Sequence, residues 1–123
     1  MIDESKLQAL HLRDPLSRQL GNLASSVNRL GFLIVSRKPS SLVVHLIREC
    51  QLFASWTRPT ADFETQIALG DLQRSLAILQ SEYAATELQE EWRSAINQIC
   101  AQWSQRLLEL SGLLNVKPET LPR

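Results

Sequence analysis

A chain of 123 residues, 44% hydrophobic and 21% charged, has the composition of one globular domain rather than of a disordered segment. At about 120 residues, folding buries roughly two-thirds of the surface that the unfolded chain exposes, so a core forms without a metal or disulfide staple. Lys/Arg and Asp/Glu balance at 13 each, which excludes the basic excess of a dedicated nucleic-acid module.

The charge is nonetheless uneven. Residues 1–60 hold eight Lys/Arg against four Asp/Glu, a net +4, and residues 61–123 hold five against nine, a net −4. Attraction between the two halves on folding is the simplest reading of that pattern. The first residues, Met1-Ile2-Asp3-Glu4-Ser5-Lys6, carry early acids and no apolar run behind them, unlike an export signal. The longest apolar stretch, Phe32-Leu33-Ile34-Val35, is too short for a bilayer, so no membrane insertion is expected. Cys50 and Cys100 each fall on an apolar helical stripe and read as buried free thiols. Cytoplasmic localisation is the expectation.

In chain order, residues 1–13 come first, where Leu7, Leu10 and His11 fit a short packing helix. A clear helix opens at Asp14-Pro15, with Asp14 as the N-cap and Pro15 at the first helical position. Leu16, Leu20, Leu23, Val27, Leu30 and Ile34 follow at steps of three and four, which places them on one face. Ala24 and Gly31 lie beside that stripe and permit a neighbouring helix to come close. Pro39 ends the run, and Ser40 or Ser41 caps a second helix over about residues 42–56. Residues 31–35 and 42–46, joined by Lys38-Pro39-Ser40, also fit the arms of a β-hairpin through their β-branched residues. The helical spacing runs unbroken through both arms and favours helices.

Arg58-Pro59 marks the next break, and Thr60 is expected to cap a third helix with Asp62 and Glu64 in its first turn. Its stripe is Thr65, Leu69, Leu72, Leu76, Leu79 and Tyr83. A fourth helix opens at the capping box Thr86-Glu87-Leu88-Gln89. Leu88, Trp92, Ile96, Ile99, Trp103, Leu107 and Leu110 form its stripe, with Trp92 and Trp103 expected to anchor the core. One continuous rod through both stripes would put Trp92 opposite Tyr83, so a turn is expected near residues 84–86. Gly112 suits the C′ position, and residues 115–123 read as a tail. The expectation is a single all-α domain over 1–123: an antiparallel up-and-down four-helix bundle with a short extra N-terminal helix.

Catalytic constellations do not emerge. A carboxylate-bridged di-iron site needs Glu-x-x-His on two helices, whereas Leu42 precedes His45 by three residues and Gln8 precedes His11. Two histidines and two distant cysteines make a poor zinc ligand set, so no metal and no cofactor are expected. His45 projects to the rim of its helix and reads as a partly buried histidine rather than a general base. No serine sits on a nucleophile elbow, and no glycine-rich phosphate loop is present. Arg18 and Arg29 point away from the apolar stripe and read as solvated.

Interaction surfaces are the stronger candidates. Phe63, Ile67 and Ile78 form a second apolar line on the third helix, nearly opposite Leu72 and Leu76. Phe32 and Leu33 likewise fall outside the core stripe of the first long helix. Such a line is a contact for another protein or for a homodimer where it joins a larger patch. The alternative is a regulator that binds nucleic acid through Arg29, Arg37, Lys38, Arg48 and Arg58, provided these converge on one face.

Phe53-Ala54-Ser55-Trp56-Thr57, and Trp103-Ser104-Gln105-Arg106 with Leu110-Ser111-Gly112-Leu113-Leu114, resemble small helical proteins of cyanobacteria. The resemblance spans the last two-thirds of the chain. That group has no established activity, so the resemblance implies a bacterial cytosol and carries over no catalytic residue. Non-enzymatic protein interaction or assembly is the expected function.

Overall fold

Each apolar stripe becomes a helix. The computed structural model describes residues 3–85 and 90–112. It contains α1 (Glu4–Arg13), α2 (Leu16–Val35), α3 (Ser40–Thr57), a 3₁₀ turn (Arg58–Thr60), α4 (Phe63–Ala85) and α5 (Glu90–Ser111). The fold is all-helical, with five α-helices packed together and no strand among the described residues. The hairpin reading is thereby set aside. Residues 31–35 complete α2, and 42–46 belong to α3.

Helix boundaries follow local chemistry, with some corrections. The Asp3 carboxylate accepts from the Ser5 amide at 2.9 Å and caps α1. Asp14 does not cap α2. Pro15 is the N-cap, Leu16 the first helical residue, and the Asp14 carboxylate instead accepts from the Asn22 side chain at 3.2 Å. Pro39 rather than Ser40 or Ser41 occupies the N-cap of α3. Thr60 is taken up in the 3₁₀ turn, where its hydroxyl donates to the Thr57 carbonyl. Asp62 does the capping there, accepting from the Thr65 amide at 2.8 Å. The expected capping box at residues 86–89 and the tail at 115–123 lie outside the described residues.

α2 makes the most extensive helix contact of the fold, against α5. The pair is antiparallel. Arg37 meets Glu90, Arg93 donates to the Ile34 carbonyl at 2.8 Å, and Gly31 lies against Asn97 and Cys100. A Cβ on Gly31 would fall 2.8 Å from the Cys100 Cβ and 3.3 Å from the Asn97 Cα, so glycine is what lets the backbones approach. α3 packs on α2 and on α4, and Arg58 reaches Gln73 across the α3–α4 junction. α1 lies along α3 in the same direction, with Glu4 near Arg48 and His11 against Thr57. Leu23, Leu30, Ile34, Val43, Ile47, Leu69 and Leu107 form the centre of the core. Burying each contributes about 1.5–3 kcal/mol.

α4 and α5 are antiparallel too, since Arg106 near the end of α5 reaches Glu64 at the start of α4 at 3.1 Å. The two helices are therefore not one rod; α4 continues through Ala85, so residues 84 and 85 are helical rather than part of the expected turn, and the rest of that turn lies outside the described residues. Their packing differs from that of the other neighbours: an open groove separates them along most of their length. Arg37–Glu90 joins the basic and acidic halves, whereas Arg48–Glu4, Arg74–Asp71 and Arg106–Glu64 each stay within one half. Among the described residues, no helix is long and apolar enough to cross a membrane.

Candidate functional site

The groove between α4 and α5 arises from how α5 is turned. Its inward residues are Arg93, Ile96, Cys100, Ser104, Leu107 and Ser111, three of them small and one an arginine. At 100° per residue, the centre of this face lies about 70° from the centre of the stripe Trp92, Ile96, Ile99, Trp103, Leu107 and Leu110. Gly31 of α2 comes close to Asn97 and Cys100 on this side of α5, and the Arg93 guanidinium is satisfied on the Ile34 carbonyl. The larger apolar side chains are thus left on the flank toward α4. Trp92 is 47% exposed and Ile99 49% exposed, so neither anchors the core, contrary to the expectation for Trp92. Trp103 is half-buried against the core edge.

Facing them on α4 are Leu72, Leu76 and Leu79 on the inner side and Ser75, Ile78 and Glu82 on the rim. Val27 of α2 contributes to the floor. The groove holds about 240 Å³, and its walls are almost wholly apolar. A shallower depression continues it past Trp103, lined by Glu64, Ile67, Ala68, Asp71 and Arg106. Trp103 is common to both, so the seam is continuous from the start of α4 to its last turns.

The five residues expected to bind a partner separate on this frame. Ile67 and Ile78 stand on the rim of the seam, Ile78 with 64% of its surface exposed. Phe63 is exposed one turn before Ile67 but lines neither hollow. Phe32 is exposed on α2 and Leu33 half-buried beside it, and neither borders the groove. Trp92, Ile99 and Trp103 are the members that the apolar stripe had assigned to the core.

The five basic residues are not gathered into one surface. Arg37 is paired with Glu90, Arg48 lies 3.7 Å from Glu4, and Arg58 donates to Gln73 while lying over Gly70. Arg29 and Lys38 are exposed on α2 and in the turn after it. His45 is exposed rather than partly buried, and borders a shallow depression with Ser40, Ser41, Val44, Arg48 and Gln80.

Three buried titratable groups, Cys50, Cys100 and His11, serve packing. Burial pushes the Cys50 thiol up to about 12, with Glu49 and Cys100 adding to it, and burial alone pushes Cys100 up to about 11. Both are free and buried. Protonated at neutral pH, they are weak nucleophiles and weak metal ligands. His11, 4% exposed, shares a 2.7 Å hydrogen bond with the Thr57 hydroxyl and stacks on Phe53 at 4.5 Å. Burial lowers its pKa, against a raising influence from Asp14. Among the described residues, no group of three or more His, Cys, Asp or Glu side chains is placed to hold a metal ion.

Comparison with protein-family models, with curated proteins and with solved structures finds no match.

Proposed function

We propose that this chain is a non-enzymatic, cytoplasmic protein-interaction module whose docking surface is the α4–α5 seam. The architecture in this reading is an antiparallel up-and-down bundle of α2, α3, α4 and α5, with α1 braced on α3 and one seam left open. The observation that carries it is the turning of α5. A helix that buries arginine and serine while leaving tryptophan and isoleucine in an open groove has a second apolar surface to satisfy. Aromatic side chains at the centre of such a surface are the usual anchors of protein association.

The test compares the tagged wild-type chain with the double variant Ile67→Glu, Ile78→Glu, by nuclease-treated affinity capture and by sedimentation. Both side chains are at the rim and exposed, so the variant should keep the helical circular dichroism of the wild type. The expected result is a stoichiometric association that the wild type makes and the variant loses. Association unchanged in the variant, or capture that disappears with nuclease, would overturn this reading.

A further inference from the structure

The seam carries a protrusion at one end and a hollow at the other. On the α4 wheel, Phe63, Ile67 and Ile78 fall within about 60° of one another, so they share one outward line. Phe63, 77% exposed, opens that line and borders neither hollow. Ile78 stands at the mouth of the groove that Trp92 and Ile99 wall on the α5 side. At 1.5 Å per residue, Phe63 and Ile78 are about 22 Å apart along α4. Asp71 lies midway between them, beside Trp103.

A face laid out in this way is complementary to itself. A two-fold axis through α4 near Asp71 sets two copies of the helix antiparallel and brings each Phe63 over the other copy's groove. Such a contact makes every interaction twice. The groove, at about 240 Å³, is below the roughly 300–1,000 Å³ usual for small-molecule sites, but it has room for a phenyl ring.

Area and charge agree with a second copy. Phe63, Ile67, Ile78, Trp92 and Ile99 keep between 47% and 77% of their surface exposed. With about 150–250 Å² for an aromatic side chain and somewhat less for isoleucine, they offer on the order of 500 Å² of apolar surface. A stable interface takes about 800 Å² from each partner, roughly 65% of it apolar in homodimers, which is the same area. The rim raises no barrier to self-pairing. Glu64 is matched by Arg106 and Asp71 by Arg74, and the whole chain balances 13 cationic against 13 anionic side chains. Two copies therefore meet without net repulsion. Near the axis, Asp71 of each copy comes within a turn of Arg74 of the other, which extends the two exposed pairs into one alternating network.

We infer that the seam is a two-fold homodimer interface, in which α4 packs antiparallel on α4 of a second copy and each Phe63 enters the other copy's groove beside Ile78 and Trp92. This rests on the seam being a protein-docking surface and names the docked partner as the chain itself.

Sedimentation of the intact chain over a dilution series reads the dimer, and cross-linking of mixed variants reads its register. The wild type should pass from dimer to monomer on dilution. Phe63→Ala should weaken the dimer roughly tenfold or more, and Ile67→Glu with Ile78→Glu should abolish it, with the helical circular dichroism of the wild type retained in each. Asp71→Arg should weaken the dimer by gathering cations at the axis, and adding Arg74→Asp should restore it. Phe63→Cys and Ile78→Cys chains, treated with a short bis-maleimide, should cross-link when mixed and not when either is alone. Like positions are about 22 Å or more apart across the axis, and Cys50 and Cys100 are buried. A chain that stays monomeric at every concentration, while capturing another protein that Ile67→Glu with Ile78→Glu releases, would overturn the second copy and leave the seam as a docking surface. A dimer that survives Ile67→Glu with Ile78→Glu would overturn the seam as the interface, and this inference with it. A seam-dependent dimer in which Phe63→Cys links to itself would overturn the placing of Phe63 in the groove.

Discussion

His11 shows how one side chain fixes an element. α1 is short and mostly exposed, and isolated helices of such length are marginal in water. Its attachment centres on an imidazole buried between Phe53, Trp56 and Thr57. Because burial lowers the folded-state pKa below 6.5, the unfolded chain binds a proton at His11 more readily than the folded one. The associated stability is complete above about pH 6.5 and is lost as pH falls below it toward the folded pKa. Urea unfolding of the wild type against His11→Gln, between about pH 7.5 and pH 5, reads this directly. The wild type should lose stability relative to the variant on acidification. Parallel pH profiles would remove His11 as the cause. The sequence announced His11 only as part of an ambiguous N-terminal segment, since its partners lie more than forty residues away. The free, buried thiols were easier to read, because Cys50 and Cys100 share faces with residues that can only be core.

Helix existence was legible throughout, because spacing by three and four survives any packing arrangement. Which flank of a helix turns inward was not. On α5 the stripe of largest side chains was the natural choice for the core, yet contact with α2 is set by the smallest ones. Gly31 on one helix, with Cys100 on the other, allows an approach that no tryptophan could permit. The sequence did carry that signal, in the small residues beside the α2 stripe, but pairing them with α5 required knowing that those helices are neighbours. Gly31→Ala tests the close approach. Its Cβ would meet the Cys100 Cβ and the Asn97 backbone as well as a movable side-chain oxygen, so relief requires a shift of the helix pair. A loss of about 1–3 kcal/mol is expected in denaturant unfolding, the range for overpacking a tight interior. A gain of stability, as ordinary helix propensity would give, would show that the helices are not so close. The caps were misplaced for a different reason. Asp14 and Thr60 are sound capping residues, but Pro15 and Pro39 take the N-cap positions of α2 and α3, and Asp62 caps α4 two residues beyond Thr60.

At the scale of the whole molecule, the closeness of α2 and α5 and the opening between α4 and α5 are two sides of one packing choice. Rotating α5 to bury its small residues withdraws its aromatic flank from the core and leaves it facing α4 across a groove. Ile67 and Ile78 were visible in the sequence as a line with no place in the core, and their position at the rim gives that line an address. Trp92 was the missing half of the surface. It is also the best reporter, because a Trp56→Phe, Trp103→Phe background leaves it as the single tryptophan of three. The decisive measurement is iodide quenching of Trp92 in that background, at a concentration where the chain sediments as a monomer. The account predicts ready quenching in the isolated chain. A Trp92 already shielded in the isolated monomer would mean that α5 buries its aromatic flank and that the groove is closed.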